Sequence, residues 1–271
     1  MTHLNPGRAT IDPEGPVVAG SFATITYTYT SGHPIDDSGY IKIVFRSVSD
    51  CATPQFDHPS NPNYCTVTTT GNCRIEPRWD PKGNTRPWSR ALYLKIRHGY
   101  LDKDEEIQVI FGNTSGGSPG WQVQTNCVAW FEFKTYVDPI ATYQFKELPE
   151  SPGFQVIPGK SVKAVCISAV SQVMVNQPFT YFLKLEDRWG NPTRKPVQFT
   201  HPGFPSPGIR YVKAVDDKTG SAAISNPIYV QEEIHLNKYW GDFHGQSEET
   251  VGEGSIEEYF TFARDYGLLD I

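Results

Sequence analysis

Hydrophobic and polar positions alternate with a period of two residues along several short stretches of this chain. In residues 22–30, aromatic and β-branched side chains follow one another up to a Ser31-Gly32 turn. Further stretches of this kind are residues 40–46, 91–97, 107–111 and 128–137. Because successive side chains of a β-strand point to opposite faces, the pattern predicts strands with one buried face. No helical period separates them, so residues 1–147 are predicted to form an antiparallel β-sandwich.

One connection inside this predicted domain is unusually long. It runs from Asp50 to Pro87 and is rich in Pro, Asn, Thr and Gly. Connections of this length are uncommon inside compact domains unless they carry a function. The segment is therefore expected either to pack as an extended arm or to serve recognition.

The strand pattern restarts after the proline-bearing stretch at residues 148–153, which is the predicted linker. Strands are predicted in residues 173–179, 181–186, 197–199, 210–215 and 227–230. The turn at residues 187–192, Asp-Arg-Trp-Gly-Asn-Pro, and the later Asn-Pro-Ile at residues 226–228 resemble bacterial immunoglobulin-like modules. Residues 148–236 are thus expected to form an immunoglobulin-like β-sandwich.

The C-terminal stretch, residues 237–271, follows a different pattern. Ser255 and Glu258 have the spacing of a capping box, which predicts the start of a helix. Apolar side chains then recur at helical spacing, and Gly267 is placed to end the helix. A strand before this helix, in residues 240–246, and one beginning at Leu268 would make a βα unit. Parallel strands need more partners than this segment supplies, so the prediction is the incomplete start of an α/β barrel domain.

Composition and charge narrow the classes of partner. The 271 residues are 13% aromatic and 20% charged, which excludes a disordered chain. There are 24 basic and 30 acidic residues with no basic run, so we expect neither nucleic acid nor an anionic membrane as partner. No apolar stretch reaches about 18 residues, so no spanning helix is predicted. Without a visible signal peptide the expected location is the cytoplasm, or the periplasm or exterior if a leader has been removed.

Five cysteines lack the Cys-x-x-Cys spacing typical of zinc sites. Three of them, Cys51, Cys65 and Cys73, lie in one loop-rich stretch and could pair in an oxidising compartment. The alternative is that they are buried free thiols of a cytosolic protein.

The candidate metal ligands lie just before the predicted helix. If residues 240–246 are extended, Asp242, His244 and Gln246 point to one side of the strand. The carboxyl end of a strand that feeds a helix is where α/β folds place their sites. A carboxylate beside an imidazole can bind a divalent metal or orient the ring, while the alternative is that the two only hydrogen-bond each other.

Residues 239–247, Tyr-Trp-Gly-Asp-Phe-His-Gly-Gln-Ser, resemble the opening of a polymerase-and-histidinol-phosphatase (PHP) domain. The later Glu258-Tyr259-Phe260 helix fits the same resemblance. The whole chain, including residues 73–83 and 112–121, is similar to bacterial proteins with the domain of unknown function thirty-six-oh-four. In that family, β-rich N-terminal modules precede a PHP-like barrel.

The resemblance implies a barrel that binds divalent metals, such as Zn, Mn or Fe, and hydrolyses phosphoesters with a metal-activated water. His244 matches the first histidine of the family's His-x-His motif, whereas Gln246 replaces the second. The later ligand motifs would lie beyond Ile271, so no catalytic residue is assigned within this chain. The chain alone is expected to be inactive and to bind no metal stably.

The competing hypothesis is a non-catalytic binding module made of two β-sandwiches. Four tryptophans of the first predicted domain, with many tyrosines, could form a platform for sugars: Trp79, Trp88, Trp121 and Trp130. Filling the core is the commoner fate of such side chains. Both hypotheses stay open at the level of sequence.

Overall fold

The computed structural model describes residues 5–215 and 222–270, and it divides into two units. The first unit is Met1–Ile157 with Thr250–Gly254, and the second is Pro158–Glu249 with Ser255–Ile271. The domain boundary predicted at residues 147 and 148 lies inside the first unit. The fold is mainly β, as the alternating pattern predicted.

Fourteen described strands build the first unit. They are β1 (Arg8–Asp12), β2 (Val17–Val18), β3 (Phe22–Ala23), β4 (Ile25–Thr30), β5 (Tyr40–Phe45), β6 (Cys65–Thr69), β7 (Arg74–Asp80), β8 (Arg90–Arg97), β9 (Glu106–Phe111), β10 (Trp121–Gln122), β11 (Val128–Glu132), β12 (Lys134–Asp138), β13 (Lys146–Glu147) and β14 (Gly153–Ile157). The long connection after Asp50 thus contains two strands, β6 and β7.

Two larger sheets form a β-sandwich. One has the strand order β1-β4-β9-β6, and the other has the order β13-β12-β5-β8-β7, with antiparallel pairing throughout both. The inward side chains of β4, β5, β8 and β9 are buried in one continuous core. Smaller ladders, β10-β3 and β11-β14-β2, complete the unit.

The predicted strand at residues 128–137 is divided between two sheets at Phe133. Before it, β11 pairs with β14, and after it, β12 pairs with β5. Phe133 itself is fully buried, and its ring centroid lies 5.2 Å from that of Phe45. The chain therefore changes sheets where an aromatic side chain enters the core.

Phe45 is the centre of this aromatic core. Its ring centroid lies within 6.2 Å of five others, those of Trp79, Phe111, Trp121, Phe131 and Phe133. Tilted and edge-to-face arrangements of this kind add to the burial energy of each ring. The cluster joins β5 to β7, β9, β10 and β11.

A short C-terminal segment, Thr250–Gly254, also belongs to the first unit. Asn126 and Gln124 donate side-chain hydrogen bonds to Glu253 Oε2 at 2.6 and 3.3 Å, and Arg46 donates to the Gly252 carbonyl. Burial raises the pKa of Glu253, although the two amide donors partly oppose this effect.

The second unit contains eight described strands and one helix. They are β15 (Lys163–Ser168), β16 (Gln172–Met174), β17 (Phe179–Glu186), β18 (Val197–His201), β19 (Gly208–Arg210), β20 (Lys213–Val215), β21 (Ala222–Ile224), β22 (Ile228–Gln231) and α1 (Ile256–Phe262). The strands form the ladders β15-β17-β18, β16-β22-β19 and β20-β21, around a smaller core that includes Val173, Ile228 and Val230.

The turn that resembled immunoglobulin-like modules has a clear physical basis. The Asp187 carboxylate accepts hydrogen bonds from the backbone amides of Trp189, Asn191 and Gly159 at 2.8 to 3.0 Å. Burial alone raises the pKa of Asp187, but these bonds and one from the Asn191 side chain lower it below its usual value. The aspartate is thus required to close the turn.

The predicted capping box is confirmed in the C-terminal segment. Ser255 accepts from the Glu258 amide, and the Glu258 side chain accepts from the Ser255 amide. Helix α1 continues as a π-helical turn, Ala263–Gly267, and ends at Leu268, which has a left-handed φ of 56°. The strand predicted at residues 240–246 does not form, since no described strand of the second unit pairs with it. The described residues contain no α/β barrel.

Replacing Phe45 with Ala is expected to lower the free energy of unfolding by about 3–5 kcal/mol, because a cavity opens among five rings. Phe22→Ala is the matched control, since the Phe22 side chain is 46% exposed, and its cost should stay below about 1 kcal/mol. Urea denaturation followed by tryptophan fluorescence measures both. Equal costs for the two variants would contradict the central position assigned to Phe45.

Candidate functional site

The three residues predicted as metal ligands lie in an irregular, exposed segment. Asp242, His244 and Gln246 are all exposed to solvent. The Asp242 carboxylate accepts a hydrogen bond of 2.8 Å from the backbone amide of His244. Among the described residues, no group of three or more His, Cys, Asp or Glu side chains is arranged to hold a metal ion. The metal site therefore stays a prediction.

Two contacts nevertheless organise this segment. Gly245 lies so close to the ring of Tyr259 that a side chain at position 245 would collide with it. The Asp270 amide donates to the Trp240 carbonyl at 2.8 Å, and the Trp240 amide donates to Asp270 Oδ2 at 2.9 Å. The ends of the predicted βα unit thus lie side by side without forming a strand ladder.

A different part of the molecule brings chemically active side chains together. It is the outer surface of the five-stranded sheet in the first unit, formed by the even-numbered residues of β5, β7 and β12 and the odd-numbered residues of β8. We call this surface the tyrosine face. Its central members are Tyr40, Lys42, Arg78, Tyr93, Lys95 and Tyr136.

The register of the strands alternates tyrosines with cations across the tyrosine face. Tyr136 lies opposite Lys42, Lys42 opposite Tyr93, and Tyr93 opposite Arg78. The Arg78 guanidinium lies 4.6 Å from the centroid of the Tyr93 ring, and Lys42 Nζ lies 5.4 Å from that of Tyr136. Each cation therefore faces the negative surface of a neighbouring ring, which stabilises both side chains in one position.

Lys42 is the buried member of this arrangement. Its Nζ lies 3.8 Å from the centroid of Phe145 and donates a hydrogen bond of 2.9 Å to Asn84 Oδ1. Only 5% of the residue is exposed, and this burial lowers its pKa. The amine packs against the rings of Tyr136 and Phe145 and is too buried to contact a large ligand.

Tyr143, in the turn that follows β12, adds an exposed ring to the tyrosine face beside Tyr40. Their ring centroids are 6.0 Å apart, and Lys95 Nζ lies 5.1 Å from the Tyr40 ring. Burial alone raises the pKa of Tyr40, but hydrogen bonds with Lys95 and Tyr143 and the charges of Lys95 and Arg97 bring it below its usual value. The Tyr143 side chain is 72% exposed.

A buried carboxylate holds Tyr143 in place. Asp138, at the end of β12, is fully buried and accepts hydrogen bonds from the Thr142 amide at 3.1 Å and the Tyr143 amide at 2.6 Å. The Thr142 hydroxyl donates to the same carboxylate. Tyr143 adopts a φ of 59°, a conformation that is costly for a bulky side chain. The hydrogen bonds to Asp138 offset that cost, so the backbone that carries the exposed ring is held by the fold.

One corner of the tyrosine face is a shallow depression of about 340 Å³. It is lined by Arg74, Glu76, Arg97 and His98, and we call it the arginine corner. Arg97 donates to Glu76 Oε2 at 2.8 Å, and Glu76 is the one carboxylate among the four lining residues. Arg97 also lowers the pKa of Tyr40 through its charge, which connects this corner electrostatically to the aromatic rings.

The four tryptophans considered for a sugar platform have separate positions. Trp121 is fully buried, and Trp79 packs against the core. Trp88 lies on the outer side, with Arg46 at 4.8 Å and Lys134 at 5.1 Å from its centroid. The 56% exposed Trp130 belongs to β11, in another sheet.

Comparisons with known proteins identify relatives without an assigned activity. No family model matches the chain. An uncharacterised protein of Chlamydia trachomatis serovar D is 28% identical over 284 residues, which cover 91% of this chain and 45% of the relative. An uncharacterised protein of Chlamydia muridarum is 26% identical over 163 residues, covering 49% of this chain and 26% of the relative. The chain therefore spans less than half the length of these relatives.

Solved structures give only distant likenesses. They include the Escherichia coli adhesin FdeC, at 10% identity and a TM-score of 0.29, covering 78% of this chain and 46% of that one. AvmM, which catalyses macrocyclization in alchivemycin A biosynthesis, has 9% identity and a TM-score of 0.33, and the match covers 58% of this chain and 92% of AvmM. The type II cohesin dyad of Acetivibrio cellulolyticus ScaA has 11% identity and a TM-score of 0.28, and the match covers 79% of this chain and 65% of the cohesin chain. These scores carry no argument about function.

Within residues 5–215 and 222–270, no helix has the length and apolar character needed to cross a bilayer.

Substituting Asp138 with Ala is expected to lower the free energy of unfolding by about 2–3 kcal/mol, because buried hydrogen bonds to a charged group are lost. Amide hydrogen exchange in residues 140–144 should also become faster. Asp57→Ala serves as the control, since Asp57 is exposed and its substitution should change stability by less than about 0.5 kcal/mol. Unchanged exchange at Tyr143 would show that Asp138 does not hold the turn.

Proposed function

We propose that the first unit is a carbohydrate-binding β-sandwich and that the tyrosine face is its binding surface. The observation that carries the proposal is the exposed Tyr143 ring beside Tyr40, on a turn whose backbone is held by the buried Asp138 carboxylate. Aromatic rings with a polar edge offer an apolar surface for the C–H face of a pyranose and a hydroxyl for its rim.

The arrangement of the rings suits a ligand that is bound without much reorganisation. Tyr93 donates its hydroxyl to the Gly83 carbonyl and contacts Tyr40 edge to face at 6.1 Å. Cations stand over the faces of the tyrosine rings, as Arg78 does over Tyr93. Side chains that are already ordered lose less conformational entropy on binding, which favours affinity for a weakly binding sugar.

Removing the exposed ring should reduce glycan binding without unfolding the protein. Tyr143→Ala is expected to weaken binding at least tenfold, equivalent to about 1.4 kcal/mol, while Tyr143→Phe should keep most of it. A glycan array with the full chain identifies the sugar, and affinity electrophoresis measures each variant. Tyr211→Ala is the control, an exposed tyrosine of the second unit. If Tyr143→Ala binds glycans as well as the parent does, the tyrosine face is not the binding surface.

A second proposal concerns the C-terminal segment. We propose that residues 237–271 begin a PHP-type hydrolase domain whose further ligands lie beyond Ile271. Support comes from the capping box of α1 and from the hydrogen bonds between Trp240 and Asp270. The helix also exposes apolar side chains, Phe260 at 63% and Phe262 at 52%, which a larger domain would cover.

In this proposal the Asp242 carboxylate, the His244 imidazole and the Gln246 amide oxygen contribute to a metal site. The described residues do not by themselves form a metal-binding group, so this proposal needs further ligands from outside them.

The second proposal predicts activity only for the polypeptide encoded by the entire reading frame that contains this chain. That polypeptide should release p-nitrophenol from bis-(p-nitrophenyl) phosphate when Mn²⁺ or Zn²⁺ is added. His244→Ala should lower the rate at least a hundredfold, whereas His235→Ala, at another exposed histidine of the second unit, should leave it unchanged. Equal rates for parent and His244→Ala would rule out a role for His244 in hydrolysis.

A further inference from the structure

The tyrosine face has a charge opposite to that of the whole chain. The chain carries a formal net charge of −6. The outward positions of the five-stranded sheet hold six basic side chains, Arg74, Arg78, Arg97, Lys42, Lys95 and Lys134, and four acidic ones, Glu76, Asp80, Asp138 and Glu147. Lys42 and Asp138 are both buried, so five cations and three carboxylates reach the surface.

We infer that the glycan bound by the tyrosine face is anionic, with its carboxylate or sulfate at the arginine corner. This inference rests on the proposed carbohydrate binding. Arg74 and Arg97 both line that corner, and Glu76, the one carboxylate that lines it, is paired with Arg97. Guanidinium groups bind planar carboxylates and sulfates through paired N–H donors, so the corner is complementary to an acidic substituent.

The corner and the rings form one continuous surface. Lys95 lies in the strand register between Tyr40 and Glu76, and its Nζ stands over the Tyr40 ring. The charge of Arg97 acts on the Tyr40 hydroxyl. A pyranose packed on Tyr40 and Tyr143 would therefore have its acidic group directed toward Arg97.

Polynucleotides fit this surface less well than an acidic polysaccharide. Binding a polyphosphate chain draws on many unpaired cations along a continuous track. On the tyrosine face three cations are already paired with carboxylates, Arg78 with Asp80, Arg97 with Glu76 and Lys134 with Glu147. Of the accessible cations of this face, Arg74 and Lys95 are left outside an ion pair among the described residues, which is too few for a continuous track and matches isolated acidic groups on a sugar chain.

Matched polysaccharides that differ at the carboxyl group, charged in one member and neutral in the other, test the inference. Polygalacturonate is compared with its fully methyl-esterified form, and hyaluronan with carboxyl-reduced hyaluronan, by affinity electrophoresis with the full chain. The acidic member of at least one pair should bind at least tenfold more tightly. Arg97→Gln and Arg74→Gln should reduce its affinity to that of the neutral member, and Tyr143→Ala should weaken both members.

The variants are chosen so that the fold survives. The Arg97–Glu76 ion pair is exposed, with 40% and 54% of the two side chains accessible, and such pairs contribute little to stability. Arg8→Gln removes the same charge from an exposed position on β1, in the other large sheet, and should leave binding unchanged.

Each result has a distinct meaning. If neutral and acidic members bind equally while Tyr143→Ala still weakens them, charge selection is wrong and carbohydrate binding stands. If no polysaccharide binds and Tyr143→Ala has no effect, the proposed function itself fails. Tighter binding of single-stranded oligo-dT than of any glycan would overturn the ligand class.

Discussion

The two-residue alternation of the five-stranded sheet is the constraint on which the rest of the first unit depends. In β5, the odd-numbered residues from Ile41 to Phe45 enter the core, and Tyr40 and Lys42 face outward. A slip of one residue in any ladder would exchange the two sets, so the core fixes the register and the register fixes the face. The aromatic cluster around Phe45 thus determines which tyrosine stands beside which cation.

The same surface contains groups that a purely structural sheet would not need. Lys42 is an amine placed among rings at the cost of its hydration. Tyr143 occupies a strained backbone conformation on a turn held by a buried carboxylate. Neither feature enlarges the core, and both fix the positions of exposed rings. Strain and burial of charge concentrated in one place are typical of surfaces that bind a ligand.

Much of the sandwich follows from the sequence, because β4, β5, β8 and β9 alternate clearly. Strand β7 was hidden by Pro77 and by its charged alternate positions, both of which are tolerated at the edge of a sheet. The tyrosine face could not be predicted, since cross-strand neighbours depend on register. Residues 240–246 are the opposite case: their alternating pattern predicted a strand, and none forms because no described strand pairs with them. Asp138 directly follows the strand predicted at residues 128–137, and its hydrogen bonds depend on the conformation of the turn after it, which the sequence pattern does not show.

The position of β14 affects the order in which the strands of the first unit can pair during synthesis. This strand is the last of the fourteen in the chain, yet it lies between β11 and β2 in its ladder, with Phe154 and Val156 buried. On the ribosome, the N-terminal β2 must wait for residues 153–157 before its pairing can be completed. A polypeptide cut at residue 147 would leave two facing edges open, and unpaired edges recruit strands from other molecules. Vectorial synthesis therefore favours late closure of this sandwich, and Ile157 is the earliest residue at which an isolated first unit should be ended.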